Sequence, residues 1–77
     1  MRDELMEILG RLRPELEFEK EQKLIDDGIL DSFDLVSLIG EINECFDVEV
    51  SFDDIEPENF NSVDAMLAMI RKLQEED

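Results

Sequence analysis

The stretch Gly28-Ile-Leu-Asp-Ser-Phe-Asp-Leu-Val36 places one hydroxyl, that of Ser32, where a polar loop becomes an apolar-periodic helix. A hydroxyl in that position can serve as an attachment point. Equally, Ser32 or the preceding Asp31 can be an N-cap whose side-chain oxygen accepts a hydrogen bond from the first helical turn. No histidine exists in the chain and no lysine adjoins Ser32, so nothing local would activate it as a nucleophile. The lack of histidine and of any second cysteine also removes the usual zinc sites and the Ser/His and Cys/His arrangements. Cys45, at the core-facing edge of a helix, reads as a small buried hydrophobe. The acidic residues invite a calcium loop, but setting Gly28 at the invariant EF-hand glycine puts Lys23 and Ile25 at the first and third ligand positions. Asp53, Asp54, Glu56 and Glu58 read as a solvated face, and no metal site is expected.

Four helices must position that serine. Leu5, Ile8, Leu9 and Leu12 recur at helical spacing and Pro14 closes the run, which predicts an amphipathic helix over 2–12. The long connection from Pro14 to Asp31 carries Phe18, Leu24, Ile25, Ile29 and Leu30, too apolar for a freely solvated linker, and should be pinned over the core. A second helix over 32–46 gathers Leu35, Leu38, Ile39, Ile42, Cys45 and Phe46 on its core side. Val48 to Phe52 alternates like a strand but has no partner strand. It is expected to be an extended connector burying Val48, Val50 and Phe52. Pro57 suits the first position of a one-turn helix ending at Phe60. Ser62 should cap a last helix carrying Val63, Met66, Leu67, Ile70 and Leu73 to about Gln74, with Asp64 in its first turn complementing the dipole. Met66 and one of Met6 and Met69 should fill gaps in the interior. The fold class is therefore all-α: a small antiparallel bundle of three long helices and one short helix, with a long loop between the first two.

A chain of 77 residues suggests one domain, 1–77, with little room for a deep interior active site. Its net charge is -16, yet 43% of its residues are hydrophobic, which favours folding over an acidic disordered tail. Twenty-three acidic against seven basic residues would repel nucleic acid and anionic lipid, so the expected partner is a protein with a basic surface. The lone cysteine and the absence of a long apolar run point to the cytoplasm, without membrane insertion.

From about Leu24 to Ile70 the chain resembles the acyl and peptidyl carrier proteins. The resemblance rests on Asp31-Ser32 at the head of an amphipathic helix, Asp34, Leu35, Val36, Leu38 and Ile39 after it, Phe46-Asp-Val-Glu-Val50, and Ser62-Val63 opening the last helix. In that family the serine carries covalent 4'-phosphopantetheine as a phosphodiester, donated by coenzyme A through a phosphopantetheinyl transferase. The resemblance implies the same for Ser32, with Asp31 and Phe33 as motif neighbours and a terminal thiol holding acyl or aminoacyl groups. A helix N-terminus would tolerate the anionic group, favouring negative charge by about 0.3–1 kcal/mol at an exposed site. The carrier would perform no catalysis itself. Asp27 to Ser32 and Pro57-Glu-Asn-Phe60 look like the corresponding stretches of stand-alone D-alanyl and peptidyl carriers.

Related carriers meet their partners through the outward face of this helix, which here carries Phe33, Val36, Ser37, Gly40, Glu41 and Glu44, with Asn43 at one flank. Phe33 replaces the usual leucine, and Ser37, Asn43 and Cys45 stand where fatty acid carriers are often acidic. The implied partners are the transferase, an acyl- or aminoacyl-activating enzyme and downstream acceptor enzymes with basic surfaces, met by a monomer. The competing reading is an unmodified acidic helical domain that binds a basic protein.

Overall fold

Periodic leucine and isoleucine positions set the helices, and Pro14 stops the first one. The computed structural model describes residues 1–75: α1 (Arg2–Leu12), α2 (Ser32–Phe46), α3 (Pro57–Phe60) and α4 (Val63–Glu75). Single 3-10 turns occur at Phe18–Lys20 and Phe52–Asp54, and there is no strand among the described residues. Helix α1 packs against both α2 and α4, and α3 packs on α4. The architecture is the helical bundle expected from the sequence.

Every segment contributes to one core. Leu5, Ile8 and Leu9 come from α1, Leu38 and Ile42 from α2, Phe60 from α3, and Val63, Met66, Met69 and Ile70 from α4. The long first connection adds Phe18, Leu24 and Leu30, all buried, while Ile25 and Ile29 pack at the edge. Its backbone is fastened by Asn61, between α3 and α4. The Asn61 carbonyl accepts from the Leu24 N–H at 2.9 Å, and its side-chain Oδ1 accepts from the N–H groups of Ile25 and Asp26, each at 3.0 Å. Gly28, at φ 70°, supplies the left-handed turn that lets the chain double back, so that the Leu30 N–H reaches the Leu24 carbonyl at 3.0 Å.

Capping follows the expected chemistry at α4, where Ser62 Oγ accepts from the Ala65 N–H at 3.1 Å. Asp64, in the first turn, also takes a hydrogen bond from Arg2 at 2.8 Å, tying α4 to α1. Helix α2 ends on Asp47, in the left-handed region at φ 53°, with its N–H donating to the Asn43 carbonyl.

Two side chains expected inside are outside. Val50 is buried and Val48 half-buried, but Phe52 is 90% exposed. The chain stops being extended at Ser51, whose side chain and N–H both engage Asp54 in a 3-10 turn, and the alternation that would have turned Phe52 inward ends there. Cys45 is exposed as well. It is two turns on from Leu38 and in phase with it, but lies beyond Ile42, the last fully buried residue of α2. Periodicity gives the direction of a side chain, not how far the core extends along the helix.

Phe60, fully buried, and Phe52 therefore form a matched test. Phe60→Ala is expected to lower unfolding stability by about 3–5 kcal/mol, and Phe52→Ala to change it by less than about 0.5 kcal/mol, both read from urea unfolding curves. Comparable losses in the two variants would contradict the exposed position of Phe52.

Candidate attachment site at the head of the second helix

The start of α2 is organised by aspartates, leaving the serine out. Asp31 is the N-cap residue, and its Oδ1 accepts from the Asp34 N–H at 2.8 Å. Asp34 reaches back to the Asp31 N–H at 3.5 Å, closing a capping box built from two aspartates. Ser32 is the first helical residue and is exposed. Its hydroxyl makes no hydrogen bond among the described residues, and neither do the N–H groups of Ser32 and Phe33. Of the two capping assignments open from the sequence, Asp31 is the cap.

This arrangement suits a covalently attached anion. The hydroxyl is accessible and not occupied by a structural bond. Two unpaired N–H groups and the positive end of a helix of 15 residues favour negative charge beside it. Asp31 and Asp34 oppose that charge, but an arginine answers one of them. Arg13, which follows α1, donates through Nη1 to Asp34 Oδ2 at 2.7 Å and, more weakly, to the Ile29 carbonyl at 3.4 Å. Its Nε donates to Glu15 at 2.7 Å. Glu15 first, and Asp34 second, raise the guanidinium above its ordinary value, while Arg13 lowers the Glu15 carboxyl. The Glu15 pair is therefore intact above the ordinary carboxylate range and is lost as pH falls through the lowered value. Sequence reading missed the role of Arg13 at this turn, because Ile29 and Asp34 lie 16 and 21 residues away from it and leave no local pattern.

The outward face of α2 is largely as expected. Phe33 is 80% and Val36 70% exposed, Gly40 and Glu44 are exposed, and Ser37 and Glu41 are partly so. Glu41 pairs with Arg11 of α1 at 3.5 Å. A methyl group added at Gly40 would meet nothing within 4 Å, so the fold itself does not require that glycine. Asn43 differs from its neighbours: its Oδ1 accepts from the Val50 N–H at 2.9 Å, committing the side chain to hold the connector after α2. No group of three or more acidic, cysteine or histidine side chains with metal-holding geometry occurs among the described residues. None of their helices is long and apolar enough to cross a membrane.

A family model described as the phosphopantetheine attachment site matches residues 1–70. The chain belongs to that family. It is a carrier protein that holds acyl or aminoacyl groups on a phosphopantetheine arm. Among curated relatives, the D-alanyl carrier protein of Streptococcus uberis is 33% identical over 55 residues, covering 71% of this chain and 70% of that one. The D-alanyl carrier protein of Lactobacillus delbrueckii subsp. bulgaricus is 28% identical over 57 residues, covering 74% and 71%. No solved structure matches significantly. Carriers of this family work with modifying transferases and activating enzymes.

The division of labour at the helix head can be measured in the carrier. Asp31→Ala should cost about 0.5–2 kcal/mol of stability by removing the cap, whereas Ser32→Ala should change it by less than about 0.5 kcal/mol. A larger loss in Ser32→Ala than in Asp31→Ala, by thermal or urea unfolding, would reverse the assignment of the cap.

Proposed function

We propose that Ser32 is the residue that carries the arm, and that the chain works as a monomeric aminoacyl carrier in the cytoplasm. The observation that carries the assignment is the unengaged hydroxyl of Ser32 at the first position of α2, beside a cap supplied by Asp31. When attached, the arm supplies a terminal thiol that holds the aminoacyl group as a thioester. The protein's own residues position the arm and present it, and no convergent acid, base and nucleophile set accompanies them among the described residues. D-alanine is the favoured cargo, because the relatives are named D-alanyl carriers and the stretch Asp27 to Ser32 looks like the corresponding stretch of such carriers.

The partner face in this reading is Phe33, Val36, Ser37, Gly40, Glu41 and Glu44, with Asn43 serving mainly the fold. Phe33 and Val36 are its apolar anchors, since large exposed side chains at the centre of a contact carry much of its energy. The surrounding acidity favours a phosphopantetheinyl transferase, an aminoacyl-activating enzyme and an acceptor enzyme that present basic surfaces.

Incubation with coenzyme A and a broad-specificity phosphopantetheinyl transferase should add one phosphopantetheine to the unmutated protein and none to Ser32→Ala, read by intact mass. An adduct on the alanine variant would place the arm elsewhere. With the arm installed, a D-alanine-activating enzyme and ATP should load D-alanine. Phe33→Ala combined with Val36→Ala should slow that loading by about tenfold or more, since truncating a single anchor commonly costs about 1–2 kcal/mol. Unchanged loading would remove this face from the interaction.

A further inference from the structure

The segment that presents Ser32 is gripped from both sides by a residue of another element. Arg13 reaches the Ile29 carbonyl, three residues before the serine, and Asp34 Oδ2, two residues after it, through the same Nη1. Asp34 is the return half of the capping box, and its bond to the Asp31 N–H is long at 3.5 Å while the bond from Arg13 is short at 2.7 Å. Without Arg13, the Asp34 carboxylate would lose its stronger fastening and the turn from Ile29 to Asp34 its only side-chain tie to the end of α1 among the described residues. Asp34 is well covered, with its side chain 14% exposed, while the Arg13 side chain that holds it is 33% exposed. Glu15 holds the other edge of the guanidinium and fixes its plane.

We infer that Arg13 is a positioning residue for modification of this carrier: it fixes the turn so that the Ser32 hydroxyl stands ready for the transferase. This rests on Ser32 being the attachment residue. Arg13 acts through Asp34 and Ile29, so its loss should misplace the acceptor oxygen while leaving Phe33 and Val36 available for recognition. Such a fault appears in kcat. A variant that merely spends part of its time unfolded supplies less competent substrate, which raises the apparent KM and is overcome at saturation.

The test is steady-state kinetics of a phosphopantetheinyl transferase with the carrier as varied substrate, below the unfolding transition of each variant. Arg13→Gln should lower kcat by about fivefold to tenfold, with KM within about twofold of the unmutated value, since small displacements of reacting groups carry large rate penalties. Arg13→Lys keeps the charge but not the fork, and should fall between the two. Ile70→Val, a core change on α4, supplies a control with a lowered unfolding temperature and an unchanged kcat. An unchanged kcat in Arg13→Gln, or an equal fall in Ile70→Val, would overturn the inference. If Arg13→Gln does not fold, Arg13→Lys decides it: a fall of about twofold to threefold supports the role, and an unmutated kcat overturns it. Failure of the unmutated protein and of Ser32→Ala alike to accept the arm would instead sink the attachment assignment, a distinct result.

Discussion

A net charge of -16 on 77 residues is the constraint under which this structure exists. Self-repulsion opposes compaction, and a chain of this size has only a modest interior with which to answer it. The core consequently draws on every part of the chain, including Phe18, Leu24 and Leu30 of the first connection. The few cations near the first helix are spent between elements: Arg2 joins α4 through Asp64, Arg11 joins α2 through Glu41, and Arg13 joins the head of α2 through Asp34. Exposed pairs of this kind contribute little singly. Their placement matters more, because each sits where two acidic elements would otherwise repel.

The head of α2 grows out of the same constraint. A serine at a helix start ordinarily caps the helix, and a capping hydroxyl is occupied. Here Asp31 takes the structural role, which keeps the Ser32 hydroxyl outside the hydrogen-bond network. The loop before it is packed by apolar side chains and fastened by Asn61, so the serine is delivered by a segment that is irregular yet fixed. The exposed Phe33 and Val36 then follow directly from helical geometry, since they lie opposite Leu38 and Ile42.

Much of this was legible in the sequence, for identifiable reasons. Leu5, Ile8 and Leu9 repeat at helical spacing, Pro57 and Ser62 are helix-start residues, and Phe18, Leu24 and Leu30 are too apolar for solvent, so the helices and the packed loop could be read locally. Ser32 stood out because loop, motif and helix meet there. Phe52 was misplaced because alternation says nothing about the turn Ser51 and Asp54 impose, and Cys45 because helical phase says nothing about where the core ends. Asn43 looked like surface and proved to tie down Val50. Arg13 and Asn61 were invisible for a different reason. They act across 16 to 36 residues, and long-range polar contacts leave no periodic trace.

The way Asn61 holds the loop bears on how such a protein can change over generations. Three of its four bonds to the loop go to main-chain N–H groups, of Leu24, Ile25 and Asp26, which almost any residue supplies. The exposed positions Lys23 and Asp27 can therefore vary while the path of the chain is kept, provided Leu24 remains inside and Gly28 keeps its left-handed turn. A lineage could thus retune the charge and shape of the loop that leads into α2, adapting to a new enzyme, without having to reinvent the scaffold that carries it.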